Sequence, residues 1–142
     1  MGSINYKAKI LVIDDDQDFR KVISLMLKSE SYEVVAAKNP QEAKKLIIEE
    51  KPDLILLDIM MDSIFDGYSL CHDIKTSQEF RELRDTPIIF VSAVKEKSGS
   101  RFAFDTTQHG LEGPDDYIDK PVQPEDLFPR IEKLLKKQPQ KY

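Results

Sequence analysis

Cysteine is almost missing from this chain of 142 residues, with Cys71 the only one. A single thiol excludes an internal disulfide and any cysteine-rich metal site, and it fits a reducing compartment. Set among Leu70 and Ile74, it reads as packing. Basic charge is also in short supply: 21 Lys and Arg face 26 Asp and Glu, for a net charge of −5. A nucleic-acid backbone calls for a concentrated basic surface, so direct DNA binding by this chain is not expected. No apolar run approaches the roughly 20 residues of a membrane helix, and no secretory signal is present. The opening MGSINY misses the myristoylation pattern, because position 6 is Tyr where Ser or Thr is required. These absences point to a cytoplasmic domain without a membrane partner.

What is present is a set of short apolar runs ending in polar residues. AKILVIDDD (8–16), YEVVAA (32–37), DLILLD (53–58), PIIFVSA (87–93) and DDYID (115–119) read as five strands. Between them lie helical patterns. Phe19, Val22, Ile23, Met26 and Leu27 recur at i, i+3, i+4, i+7 and i+8. Asn39, Pro40 and Glu42 make a helix start with a capping box, and Ala43, Leu46 and Ile47 give that helix its apolar face. A third helix begins with GYSLCHDIK (67–75), and Leu127, Ile131, Leu134 and Leu135 mark a last one. Pro129 falls inside it, so that helix is expected to kink or to restart near Phe128.

Strands alternating with helices imply a parallel sheet, with right-handed crossovers placing helices on both faces. Such strands are apolar without alternation, and ligands gather beyond their carboxyl ends. The residues delivered there are Asp14, Asp15 and Asp16 after strand 1, Asp58 after strand 3, Ser92 after strand 4 and Lys120 after strand 5. Carboxylates within about 4 Å repel one another by roughly 4 kcal/mol at an effective dielectric of about 20, so the group needs a cation. Hard oxygen ligands suit Mg²⁺. A hydroxyl and an ammonium opposite complete a site for a phosphoryl group, with an aspartate as nucleophile. Asp16 is better read as the cap of the first helix than as a ligand.

ILVIDDD, LLDIMM, FVSA and DYIDKP, in this order and each at a strand end, closely resemble the receiver domain of bacterial two-component response regulators. The resemblance covers roughly residues 8 to 137, leaving 1–7 and 138–142 as expected flexible ends. It implies a flavodoxin-like, doubly wound five-stranded sheet of order 2-1-3-4-5. It implies that Asp58 accepts a phosphoryl group from a sensor histidine kinase or phosphotransfer protein, with Lys120 and Ser92 on the phosphate. Asp14, Asp15, Asp58 and the Met60 backbone carbonyl would hold Mg²⁺, or Mn²⁺ in its place. Ser92 and Tyr117 take the switch positions. The output is expected through the 94–137 face, to a downstream protein or output domain, with a homodimer on phosphorylation allowed. Beyond self-phosphorylation and autodephosphorylation no enzyme activity is implied. Met60 and Val94, at places that tune phosphate lifetime in the family, are both apolar, which implies slow autodephosphorylation.

The chain departs from the family pattern in three places. Asp62 stands where the family carries proline, and the Asp66-Gly67 pair comes one residue late. The segment between Ser92 and Lys120 is several residues long for the family. Two other functions compete with the receiver reading. A haloacid-dehalogenase-like phosphatase also uses an aspartyl nucleophile and Mg²⁺, but Asp18 stands where that family wants Thr or Val. A receiver-like module that binds partners without being phosphorylated is the other. A flavodoxin is excluded, since no Ser/Thr/Gly-rich phosphate loop follows strand 1.

Overall fold

The computed structural model describes residues 5–59, 64–93 and 113–136. Five parallel strands, β1 (Lys9–Ile13), β2 (Glu33–Ala37), β3 (Leu54–Asp58), β4 (Ile88–Ala93) and β5 (Asp116–Lys120), form one sheet in the order β2-β1-β3-β4-β5. The helices are α1 (Gln17–Ser29), α2 (Pro40–Glu50), α3 (Ile64–Thr76) and a C-terminal helix (Pro124–Lys136), with a 3₁₀ segment at Gln78–Leu83.

Strand alternation sorts the core into two layers. Leu11, Ile13, Ile55, Leu57 and Phe90 face α2 and α3, where they meet Ala43, Ile47, Leu70, Cys71 and Ile74. Ile10, Val12, Leu54, Leu56, Val91 and Ile118 face the other way, toward Ile23 and Leu27 of α1 and Leu127 and Ile131 of the C-terminal helix. Each such side chain taken from water contributes about 1.5–3 kcal/mol. Double coverage therefore explains the unbroken apolar runs.

The local signals act where the residues put them. Asp16 caps α1 by accepting from the amides of Asp18 and Phe19. Asn39 caps α2 by accepting from the Glu42 amide at 2.8 Å. The returning half of that capping box differs from expectation, because Glu42 Oε1 accepts from the Lys38 amide at 2.9 Å, one residue earlier than the capping residue. Pro129 neither interrupts nor restarts the C-terminal helix, which begins at Pro124 and runs through it. Pro129 and Glu125 are both on the exposed face of the helix, so the i−4 bond that proline forgoes is lost at the surface and not in the core.

Candidate functional site

The β1–β3 register ends at Ile13 opposite Leu57, so the next step up each strand sets Asp14 level with Asp58. Asp58 itself pairs with Val91 of β4, Val91 with Ile118 of β5, and Ala93 with Lys120. Equal parity along these strands sends Asp14, Asp58 and Lys120 to the α1 side of the rim. Three carboxylates meet there: one oxygen each from Asp14, Asp15 and Asp58 lie within 4.8 Å of one another. Asp14 and Asp58 are buried and Asp15 is exposed.

Asp14 is held through both of its carboxylate oxygens and through its main chain. Its Oδ2 is 3.0 Å from Lys120 Nζ, an ion pair joining residues 106 apart in sequence. Its Oδ1 accepts from the Asp16 amide at 2.9 Å, and its own amide donates to the Ala37 carbonyl. Arg20 of α1 donates to the Asp14 carbonyl at 2.7 Å, tying the helix to the end of β1. The Lys120 ammonium also lies over the Phe19 ring, 4.3 Å from its centroid. Lys120 thus has a carboxylate on one side and an aromatic face on the other.

Ser92 is buried at the end of β4, on the opposite parity to Val91. Tyr117 lies outside the carboxylate group; its ring meets Phe90 edge to face at 5.8 Å, and Phe90 meets Tyr68 in the same way at 4.7 Å. Met60 and Val94 lie outside the described residues. Asp16 is taken up by capping, as expected of it. Reading the residues in isolation missed Arg20 and Phe19. Phe19 was legible only as one member of an apolar helix face, and nothing local marks Arg20 as a tie to β1.

The donor set suits a hard divalent cation. Three carboxylates gathered within 4.8 Å, against one ammonium, leave an excess of negative charge that Mg²⁺ would balance with oxygen ligands alone.

Comparison with known proteins agrees with this architecture. The response regulator receiver domain model matches residues 10–132. The chain is 39% identical over 134 residues to the probable transcriptional regulator ycf27 of Porphyra purpurea, covering 94% of this chain and 49% of that protein. It is 38% identical over 130 residues to the phosphate regulon transcriptional regulatory protein PhoB of Pseudomonas aeruginosa, covering 90% and 52%. The chain therefore spans about half the length of these curated relatives. Among solved structures, the receiver domain of NtrX from Brucella abortus superposes with a TM-score of 0.72 at 27% identity, over 91% of this chain and 99% of that one. A receiver domain of a signal transduction histidine kinase from Syntrophus aciditrophicus gives 0.75 at 25% identity, over 95% and 96%. With its five-stranded 2-1-3-4-5 sheet and its family match over most of its length, this chain belongs to the response regulator receiver domains of two-component signal transduction.

Proposed function

We propose that the chain is a phosphorylation switch in which Asp58 accepts a phosphoryl group from the phosphohistidine of a sensor kinase or phosphotransfer protein. The observation that supports this is the convergence of Asp14, Asp15 and Asp58 within 4.8 Å beside Lys120, at the rim where the sheet's strands end.

In this reading an Asp58 carboxylate oxygen attacks phosphorus in line. The P–O bond forms as the P–N bond to histidine breaks, and the imidazole leaves with the electron pair. Asp14, Asp15, Asp58 and the backbone carbonyl of Met60 would hold Mg²⁺, or Mn²⁺, which supplies positive charge to the phosphoryl oxygens. Lys120 supplies a second positive charge, exchanging its Asp14 partner for the phosphoryl group. Asp14, with Oδ1 held by the Asp16 amide and Oδ2 by Lys120, is suited to reach the cation partly through water. Asp15, exposed, is suited to direct ligation.

Once formed, the acyl phosphate biases a two-state equilibrium through Ser92 and Tyr117 and alters the 94–137 face. A downstream protein or output domain, or a second copy of the chain, reads that face. The only catalysis is self-phosphorylation and slow autodephosphorylation, in the cytoplasm. None of the helices among the described residues is long and apolar enough to cross a membrane.

Intact-mass spectrometry after incubation with acetyl phosphate tests the proposal. One phosphoryl adduct, lost on omission of Mg²⁺ and absent from Asp58→Asn, is the expected result. A folded wild type that takes up no phosphoryl group would point to an interaction module that works without phosphate.

A further inference from the structure

Gly67 sits in the first turns of α3, where glycine is a poor helix former. A Cβ at this position would lie 2.7 Å from Ile59 Cα, 3.2 Å from Ile59 Cβ and 3.3 Å from the Asp58 carbonyl oxygen. Carbon atoms in ordinary contact keep about 3.5–4.0 Å, so the first of these is about 1 Å too close. Two of the three atoms are main chain and cannot turn aside as a flexible side chain would. Ile59 has no room to retreat either: it is buried, and its amide donates to the Val91 carbonyl at 3.3 Å. The main chain of α3 is thus seated directly on the peptide unit linking Asp58 to Ile59.

In the sheet, Asp58 stands level with Val91 of β4, one step beyond the Ile13–Leu57 pair that ends the β1 register. We propose that Gly67 is a positioning residue for the phosphoryl-transfer site. Its missing side chain lets α3 brace the one peptide that aims the Asp58 carboxylate on one side and leads into Met60 on the other. The inference rests on Asp58 being the phosphoacceptor, and it assigns a role to a residue that touches neither phosphate nor metal. Any side chain at position 67 drives helix and strand end apart by up to about 1 Å, a misplacement on the scale that lowers reaction rates about 100-fold.

The test compares the wild-type chain, Gly67→Ala and Ile74→Val. Ile74 is fully buried in the same helix, and trimming it by one methyl perturbs packing alone. Two quantities are read: the Mg²⁺ dissociation constant, from metal-dependent shifts of the unfolding midpoint, and the maximal phosphorylation rate at saturating Mg²⁺ and acetyl phosphate, by intact mass. For Gly67→Ala the rate is expected to fall at least about 10-fold and Mg²⁺ binding to weaken, with Ile74→Val within about twofold of wild type on both. A Gly67→Ala protein that matches wild type in rate and affinity overturns the assignment. So does a loss in both variants that merely tracks their stability. If Gly67→Ala is partly unfolded, the same readings are taken in trimethylamine oxide, which favours the folded state. A wild type that binds Mg²⁺ yet takes no phosphoryl group fails differently, removing the phosphoacceptor reading and this inference with it.

Discussion

Replacing Asp58 by Asn should make the metal-free protein more stable, although it removes the proposed nucleophile. Two unit charges 4.8 Å apart repel by about 3.5 kcal/mol at an effective dielectric of about 20. Asp58 faces two such neighbours, but Lys120, 3.0 Å from Asp14, offsets much of one of them. Asp15 is exposed, and solvent weakens its share severalfold. About 1–3 kcal/mol of repulsion from these two carboxylates remains on Asp58, and asparagine removes it with nearly the same shape. For a domain of this size that corresponds to a rise in Tm of about 4–10 °C. The assay is thermal unfolding by circular dichroism in metal-free, low-salt buffer. Added NaCl should narrow the difference only slightly, through the exposed Asp15, because the buried Asp14 and Asp58 lie well inside the Debye length of about 10 Å at 0.1 M. Mg²⁺ should raise the wild type more than the variant, by mass action on the folded state. A variant melting at or below wild type in low salt would refute the electrostatic account.

Three further expectations follow from other parts of the molecule. Phe19→Leu removes the aromatic face over the Lys120 ammonium, and a double-mutant cycle with Lys120→Met should give a coupling of about 0.5–1 kcal/mol; a coupling near zero would dismiss the contact. Pro129→Ala returns an N–H to the helix interior and should stabilise by about 1–3 kcal/mol, read as a higher urea midpoint at unchanged slope. Hydrogen bonding to Glu50 raises Lys9 above its ordinary 10.5, while burial, helped by Glu132 and Glu30, raises Tyr32 above its ordinary 10.0. Both groups hold their protons more firmly when folded, so their contribution is complete below about pH 10 and is lost as pH rises through the raised values. Urea midpoints should therefore decline as pH rises above about 10, and a flat profile would count against both shifts.

The sheet was legible because burial on both faces leaves a plain signature, runs such as LILL and IIFV that end in Asp58 and Ser92. The rim carboxylates followed from those ends. Less legible were the features set by approach in space. The 3₁₀ segment at Gln78–Leu83 has only Phe80 and Leu83 as apolar marks in a polar stretch, too few to show a period. Helix α3 starts three residues before the GYSLCHDIK pattern suggested. Gly67 reads only as the start of the third helix until its distance to Ile59 is known. The Lys120–Asp14 pair depends on the stacking order of strands, which no local pattern carries.

That same pair has a consequence for the order in which the acidic rim is completed during synthesis. In the sheet order, β1 and β5 are separated by β3 and β4, so Lys120 comes to Asp14 only after all four strands are docked. A nascent chain that has delivered residues 1–93 holds every acidic member of the site but no lysine to answer them. Domains emerge from the ribosome from the N-terminus onward, and contacts between distant residues form late. The lysine that answers Asp14 is therefore the last charged member of the rim to arrive, and the acidic cluster stays one positive charge short until β5 docks.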